Sequence, residues 1–161
     1  MIDKKEINLE ELKTIIPHRG KMLLLNRIID YNTDGTLKAE YDITENCLFY
    51  DPALQGVPAF VGFELIAQSV SALSGIRDRE RGKKPSIGFI LSVPTMQIHI
   101  PVLKTGSTAD IRVRQCDLTE MIYTFEGEVY IEDKQVLKGK LMVMEIDEND
   151  ERFKDFISNF I

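Results

Sequence analysis

The sequence predicts an α+β fold in which one curled antiparallel sheet wraps a single long central helix. Three observations predict it. The stretch from about Ala59 to Arg79 is apolar or small on nearly every side, segments with strand-like patterns lie before and after it, and the turns joining most of those segments are short. A helix apolar all round has to be covered all round. A sheet that curls does this, and a β-sandwich has no place for such a helix.

The elements follow in order. Asn8, with Glu11 three residues on and Leu12, Ile15 and Ile16 beyond, forms a capping-box pattern that opens a short amphipathic helix ending at Pro17. KMLLLNRIIDYN reads as a strand, and Thr33-Asp34-Gly35 turns it into a second strand, TLKAEYDI, the Asp-Gly pair being a strong hairpin signal. From Glu45 to Val57 the chain is expected to be irregular, broken by Pro52 and Gly56. Pro58 suits the first position of the central helix, where its missing N–H costs nothing.

After Pro85 come SIGFILSV and TMQIHI, then ADIRVRQCDL, MIYTFEGEVYIE and VLKGKLMVMEI. The last two are joined by a turn at Glu132-Asp133-Lys134-Gln135. NDERFKDFISNFI predicts a C-terminal amphipathic helix with Phe153, Phe156, Ile157 and Phe160 on one side. A hairpin, one long buried helix and an antiparallel meander make the hot-dog arrangement.

Composition narrows the function. The 161 residues suit one domain spanning 1–161, and 43% hydrophobic with 29% charged residues is an ordinary globular balance. A net charge of −6 argues against nucleic-acid binding. Neither an apolar leader nor an apolar run near the length of a membrane span is read in the sequence, so a cytoplasmic protein is expected. Cys47 and Cys116 belong to no CxxC or Cys/His cluster, which predicts two buried thiols and no metal site.

Five side chains could carry or support chemistry. Glu64 stands in the otherwise apolar GVPAFVGFELIAQ, where a buried carboxylate needs partners or work to do. Gln68, one turn later, could fix that carboxylate or serve helix packing. His18 and His99 are the only imidazoles; His99, in TMQIHIP, reads as a packed or edge residue, and His18 as either a structural turn or a proton carrier. Arg19 reads as structural or carboxylate-pairing. The basic run Arg77, Arg79, Arg81, Lys83 and Lys84 is either a solvated helix C-terminus or a docking surface for an acidic partner.

Two stretches resemble the 3-hydroxyacyl-[acyl-carrier-protein] dehydratases, the FabA/FabZ-type hot-dog enzymes. IIPHRGKMLLLNRII is similar to that family's Pro-His-Arg, apolar run and Asp-Arg, with Asn26 in place of the Asp. The family's helix reads approximately Pro-Gly-x-x-x-x-Glu-x-x-x-Gln, and Pro58-Ala59 lead to Glu64 and Gln68 without a gap. VPAFVGFELIAQ resembles most a divergent ApeP-like branch linked to aryl-polyene synthesis.

The resemblance implies a hydro-lyase that removes water from a 3-hydroxyacyl thioester to give the trans-2-enoyl thioester. It implies Glu64 as the acid/base carboxylate and the Ala59 N–H, at a helix N-terminus, as donor to the thioester oxygen. Pro58 and Gln68 would shape the substrate site. No cofactor is implied, because phosphopantetheine arrives with the substrate. The implied partners are an acyl carrier protein, docking on the basic run, and a second hot-dog subunit, identical or different.

One departure matters. The family's catalytic histidine lies 14 residues before the acid, and here that position is Tyr50. A phenol with a pKa near 10 is a poor base, so Tyr50 is expected to orient substrate and His18 to supply the second proton carrier. Two other readings stay open at this level: a non-catalytic dehydratase-like subunit that supports an active partner, and a hot-dog acyl thioesterase.

Overall fold

The computed structural model describes residues 5–146, 149–151, 154, 155 and 158. Its first helix, α1 (Leu9–Leu12), is capped as expected, the Asn8 Oδ1 accepting the Glu11 N–H at 2.9 Å. Strands β1 (Arg27–Asn32) and β2 (Thr36–Asp42) form the hairpin around Asp34-Gly35. Strand β3 (Gly56–Pro58) and a 3-10 turn (Ala59–Val61) lead into the central helix α2 (Gly62–Glu80). Then come β4 (Ile87–Ile98), β5 (Val102–Lys104), β6 (Thr108–Thr119), β7 (Ile122–Ile131) and β8 (Lys134–Ile146).

Six strands make one sheet in the order β1-β2-β6-β7-β8-β4, every neighbouring pair antiparallel. It curls around α2 as the hot-dog reading requires. Inward residues alternate along each strand: Leu37, Ala39 and Tyr41 on β2, Ala109, Ile111 and Val113 on β6, Phe125 and Val129 on β7, Leu137 and Leu141 on β8. They meet Leu65, Ile66, Val70, Leu73 and Ile76 of α2. Burying each large apolar side chain contributes about 1.5–3 kcal/mol. Gly127, between Phe125 and Val129, lets the helix sit close, because a Cβ there would lie 2.3 Å from Ile66 Cγ2.

Several details differ from the sequence reading, each for a local reason. The first strand begins at Arg27 rather than Lys21, since Gln68 of α2 takes backbone groups of Met22 and Leu24 that a strand partner would need. SIGFILSV and TMQIHI are one strand, β4, which tolerates Pro94 because it lies at the sheet edge and is irregular there. Pro58 ends a strand instead of opening the helix, its segment pairing with β5 as a second small sheet. The β7–β8 turn is tighter than expected: Glu132 and Asp133 both have positive φ, and Lys134 already pairs with Ile131.

The thiols are not both buried; Cys47 is half-buried and Cys116 exposed. By length and hydropathy Ala59–Glu80 could cross a membrane, contrary to the expectation that no run comes near that length. However, 72% of its most apolar window is buried inside the fold, which is the mark of a core helix. Phe153, Phe156, Ile157 and Phe160, which carry the predicted C-terminal helix face, lie outside the described residues.

Candidate active site

Gln68 organises the site. Its side chain is fully buried in α2 and makes three hydrogen bonds: Oε1 accepts the Leu24 N–H at 2.9 Å, and Nε2 donates to Met22 O at 2.7 Å and to Glu64 Oε1 at 2.9 Å. One amide thus ties the segment before β1 to the helix and orients the carboxylate one turn back. Gly75 presses the same segment onto the helix further along, where a Cβ would lie 2.2 Å from Ile15 O. Arg19 closes the turn, donating to Ile16 O at 2.6 Å and His18 O at 2.8 Å. Its role here is structural.

These ties bring His18 to Glu64. His18 Nε2 lies 3.6 Å from Glu64 Oε1, with side chains 27% and 31% exposed. Glu64 is therefore at a surface, not sealed in the core. His18 Nδ1 is buried and has no hydrogen-bond partner, so packing rather than a third polar group holds the ring. At 3.6 Å the pair is slightly beyond hydrogen-bond distance.

Glu64 and His18 stand on the wall of a groove of about 610 Å³. Its lining is mostly apolar, with Pro17, Ala67 and Val70 on one side and Ile87, Ile90 and Val143 on the other. A groove of this size and character suits a flexible apolar chain. Among the described residues, no group of three or more His, Cys, Asp or Glu side chains is placed to hold a metal ion.

Other expected site residues are not brought to this groove within one chain. Tyr50 is half-buried in a loop of its own, its N–H donating to Cys47 O at 3.1 Å, and it does not line the groove. The Ala59 N–H, expected to be free for a thioester oxygen, donates to Pro101 O at 2.9 Å; the β3–β5 pairing that the sequence did not signal has claimed it. Pro58 pairs with Val102 and also lies off the groove. His99 is exposed just beyond the end of β4, its N–H donating to Val136 O at 2.9 Å.

The basic run divides. Arg77 Nε donates to Thr33 O at 2.8 Å and Arg79 pairs with Glu11 at 2.7 Å, so both have structural partners. Arg81, Lys83 and Lys84 are exposed. Near β1, Asn26, which replaces the resembled family's Asp, accepts the Asp42 N–H at 2.7 Å. Arg27 pairs with Glu40 at 2.6 Å and with Asp42 at 2.8 Å. The Arg27 guanidinium lowers the Asp42 carboxyl, with help from the Thr108 hydroxyl.

Comparison with known proteins identifies the family. Residues 10–155 match the family model of the ApeP-like dehydratases, described as ApeP dehydratase. The chain is 31% identical to the 3-hydroxyacyl-[acyl-carrier-protein] dehydratase FabZ of Colwellia psychrerythraea over 142 residues, 86% of this chain and 93% of that one. The dehydratase heterocomplex ApeI:P from Xenorhabdus doucetiae superimposes with a TM-score of 0.79 at 21% identity, covering 90% of this chain and 96% of the other. A putative thioesterase from Ralstonia eutropha shares the fold more distantly, with a TM-score of 0.56 at 18% identity, 73% of this chain and 82% of that one. A curled sheet around one helix, the Glu64–Gln68 pair on that helix and a family match over nearly the whole chain together place this protein in the ApeP-like dehydratase family.

Proposed function

We propose that the chain eliminates water from a 3-hydroxyacyl thioester, delivered on an acyl carrier protein, to give the trans-2-enoyl thioester in fatty-acid or polyene-type synthesis. The observation that carries this reading is the 3.6 Å approach of His18 to Glu64 on the wall of an apolar groove. Dehydration removes a proton from C2, breaks the C3–O bond and forms the C2–C3 double bond, while the departing hydroxyl takes up a proton and leaves as water. Glu64 and His18 between them accept the first proton and deliver the second. Gln68 holds Glu64 in place through its bond to Oε1.

The Ala59 N–H is committed to Pro101 O and the Gly62 N–H to carbonyls of the preceding 3-10 turn, so the support left here for charge growing on the thioester oxygen is the dipole of α2, which favours an anion at this end. The acyl chain runs along the groove, and pantetheine arrives with the substrate, so no resident cofactor takes part.

Edge strand β4 supports a paired assembly. Ile90, Leu91, Val93 and Ile98 are 40–48% exposed along it, an apolar edge that a second hot-dog subunit, identical or related, would cover. Arg81, Lys83 and Lys84 at the end of α2 suit an acidic carrier protein.

The test is incubation of the purified protein with a 3-hydroxyacyl carrier protein while enoyl product and free thiol are followed. Enoyl formation that Glu64→Gln abolishes is the expected result. Thiol release instead would assign a thioesterase, and neither product would leave an acyl-binding subunit.

A further inference from the structure

The groove that begins at Glu64 and His18 runs on between α2 and strands β4 and β8. Along α2 its wall passes from Glu64 through Val70 to Ser74, ten residues and about 15 Å from Glu64. Across from these stand two cross-strand pairs, Val143 with Ile90 and then Glu145 with Gly88. The Glu145 carboxyl takes a hydrogen bond from Ser74 within the fold. What distinguishes this end of the groove is the side chain it lacks, at Gly88.

The backbone does not ask for a glycine at position 88. Four of the ten glycines have positive φ, and at five others an added Cβ would come within 3.0 Å of a neighbouring atom. Gly88 belongs to neither group. Its φ lies outside the left-handed region, and a Cβ there would meet only Val143 Cγ1, at 3.5 Å, an ordinary contact. The register shifts of β4 fall elsewhere, at Ile90/Ser92 and Ser92/Thr95, so no bulge accounts for it. Glycine weakens a strand, because it gives up more chain entropy and packs nothing, and inside one it often marks the close approach of a ligand or of another backbone. Val143 is itself a groove residue, so a side chain added at position 88 would enter the groove beside it.

We infer that Gly88 is a specificity-determining residue, whose bare backbone keeps the far half of the groove open so that the site takes long acyl chains. The inference rests on the dehydration reading for the position of the reacting end. With C3 beside Glu64, an extended chain advances roughly 1.25 Å per carbon, so about twelve further carbons bring it level with Ser74 and Gly88. A chain of about six carbons beyond C3 ends short of there, near Val70, and does not sense position 88. A valine at 88 would narrow the far half between β4 and α2 and stop a longer chain.

The experiment uses the full chain, unaltered and as Gly88→Ala and Gly88→Val, with unreactive acyl-pantetheine amides of increasing chain length. In the unaltered chain, calorimetry should show Kd falling about threefold with each added CH2, up to about twelve carbons beyond C3. Gly88→Val should leave Kd within about twofold for chains of up to about six carbons beyond C3 and weaken those of about twelve by about tenfold or more, with Gly88→Ala between. The Tm of Gly88→Val should hold or rise, since valine suits a strand better than glycine, which separates weaker binding from a damaged fold. Turnover of the matching 3-hydroxyacyl thioesters is followed in parallel. Its absence at every length would overturn the dehydration reading while the Kd series still decides this one. An unchanged length profile in Gly88→Val, a uniform loss at every length, or a lowered Tm would overturn the assignment. So would a change in the mass of the assembly in solution with the length profile intact, which would give the glycine to a neighbouring subunit's backbone.

Discussion

Two segments could have supplied the second proton carrier that the proposed reaction needs, and the fold treats them differently. Residues 15–24 are fastened to the central helix at two points, by Gln68 through Met22 and Leu24 and by Gly75 against Ile15. Residues 44–56 are held mainly by their own turns: Cys47 N–H to Thr44 O, Ala53 N–H to Asp51 Oδ1, and the Asp51–Gly56 bridge. The first segment therefore carries His18 to the carboxylate, and the second keeps Tyr50 away from it within the chain. A residue's contribution to a site depends on what its backbone is tied to, and a sequence offset from the acid does not report that.

Removing the shared target gives the largest expected effect. Glu64→Gln should lower the rate of enoyl formation about a thousandfold while leaving the melting temperature nearly unchanged, since the Gln68 Nε2 bond to an oxygen at position 64 can persist. Gln68→Leu should loosen the first segment from the helix. It leaves the Leu24 N–H and Met22 O unpaired, at a cost of roughly 2 kcal/mol or more, which calorimetry would read as a Tm drop of roughly 5 °C or more. Activity should fall with it, because His18 and Glu64 both lose their positioning. If Gln68→Leu left both stability and rate intact, the segment would not owe its position to the helix.

A smaller effect is expected at the other end of the groove. Burial raises the carboxyl of Glu145, which lines the groove near Ser74, above its ordinary value of 4.5, so between that value and the raised one the folded chain holds a proton that the unfolded chain has lost. Stability should therefore decline as pH rises from about 4.5 toward the raised value and then level off, because the folded state binds more protons across that window. Glu145→Gln should remove that part of the decline, seen as a flatter profile of Tm against pH. An unchanged profile would mean that the carboxyl is solvated in the folded chain.

Much of the fold could be read from the residues. The all-round apolar character of the central helix, the Asp-Gly hairpin and the alternation in ADIRVRQCDL and MIYTFEGEVYIE each have one physical solution, and the structure adopts it. The pairing of β3 with β5 could not be read, because strands of three residues leave almost no periodicity. That pairing also displaced the expected oxyanion donor, since it binds the Ala59 N–H to Pro101. Glu64 and Gln68 were legible from their spacing on one helix face. The place of Glu145 on the groove wall was not legible, because one carboxylate in an alternating strand does not show which face it takes.

The most direct test sets His18 against Tyr50 in one assay. Enoyl formation from a 3-hydroxyacyl carrier protein is measured for the unaltered chain, His18→Ala and Tyr50→Phe, with added imidazole as a further condition. The Glu64–His18 pairing predicts a loss of about a hundredfold for His18→Ala, partly restored by imidazole, and a change of no more than a few-fold for Tyr50→Phe. Full activity in His18→Ala together with its loss in Tyr50→Phe would contradict the pairing and return the second proton carrier to the loop.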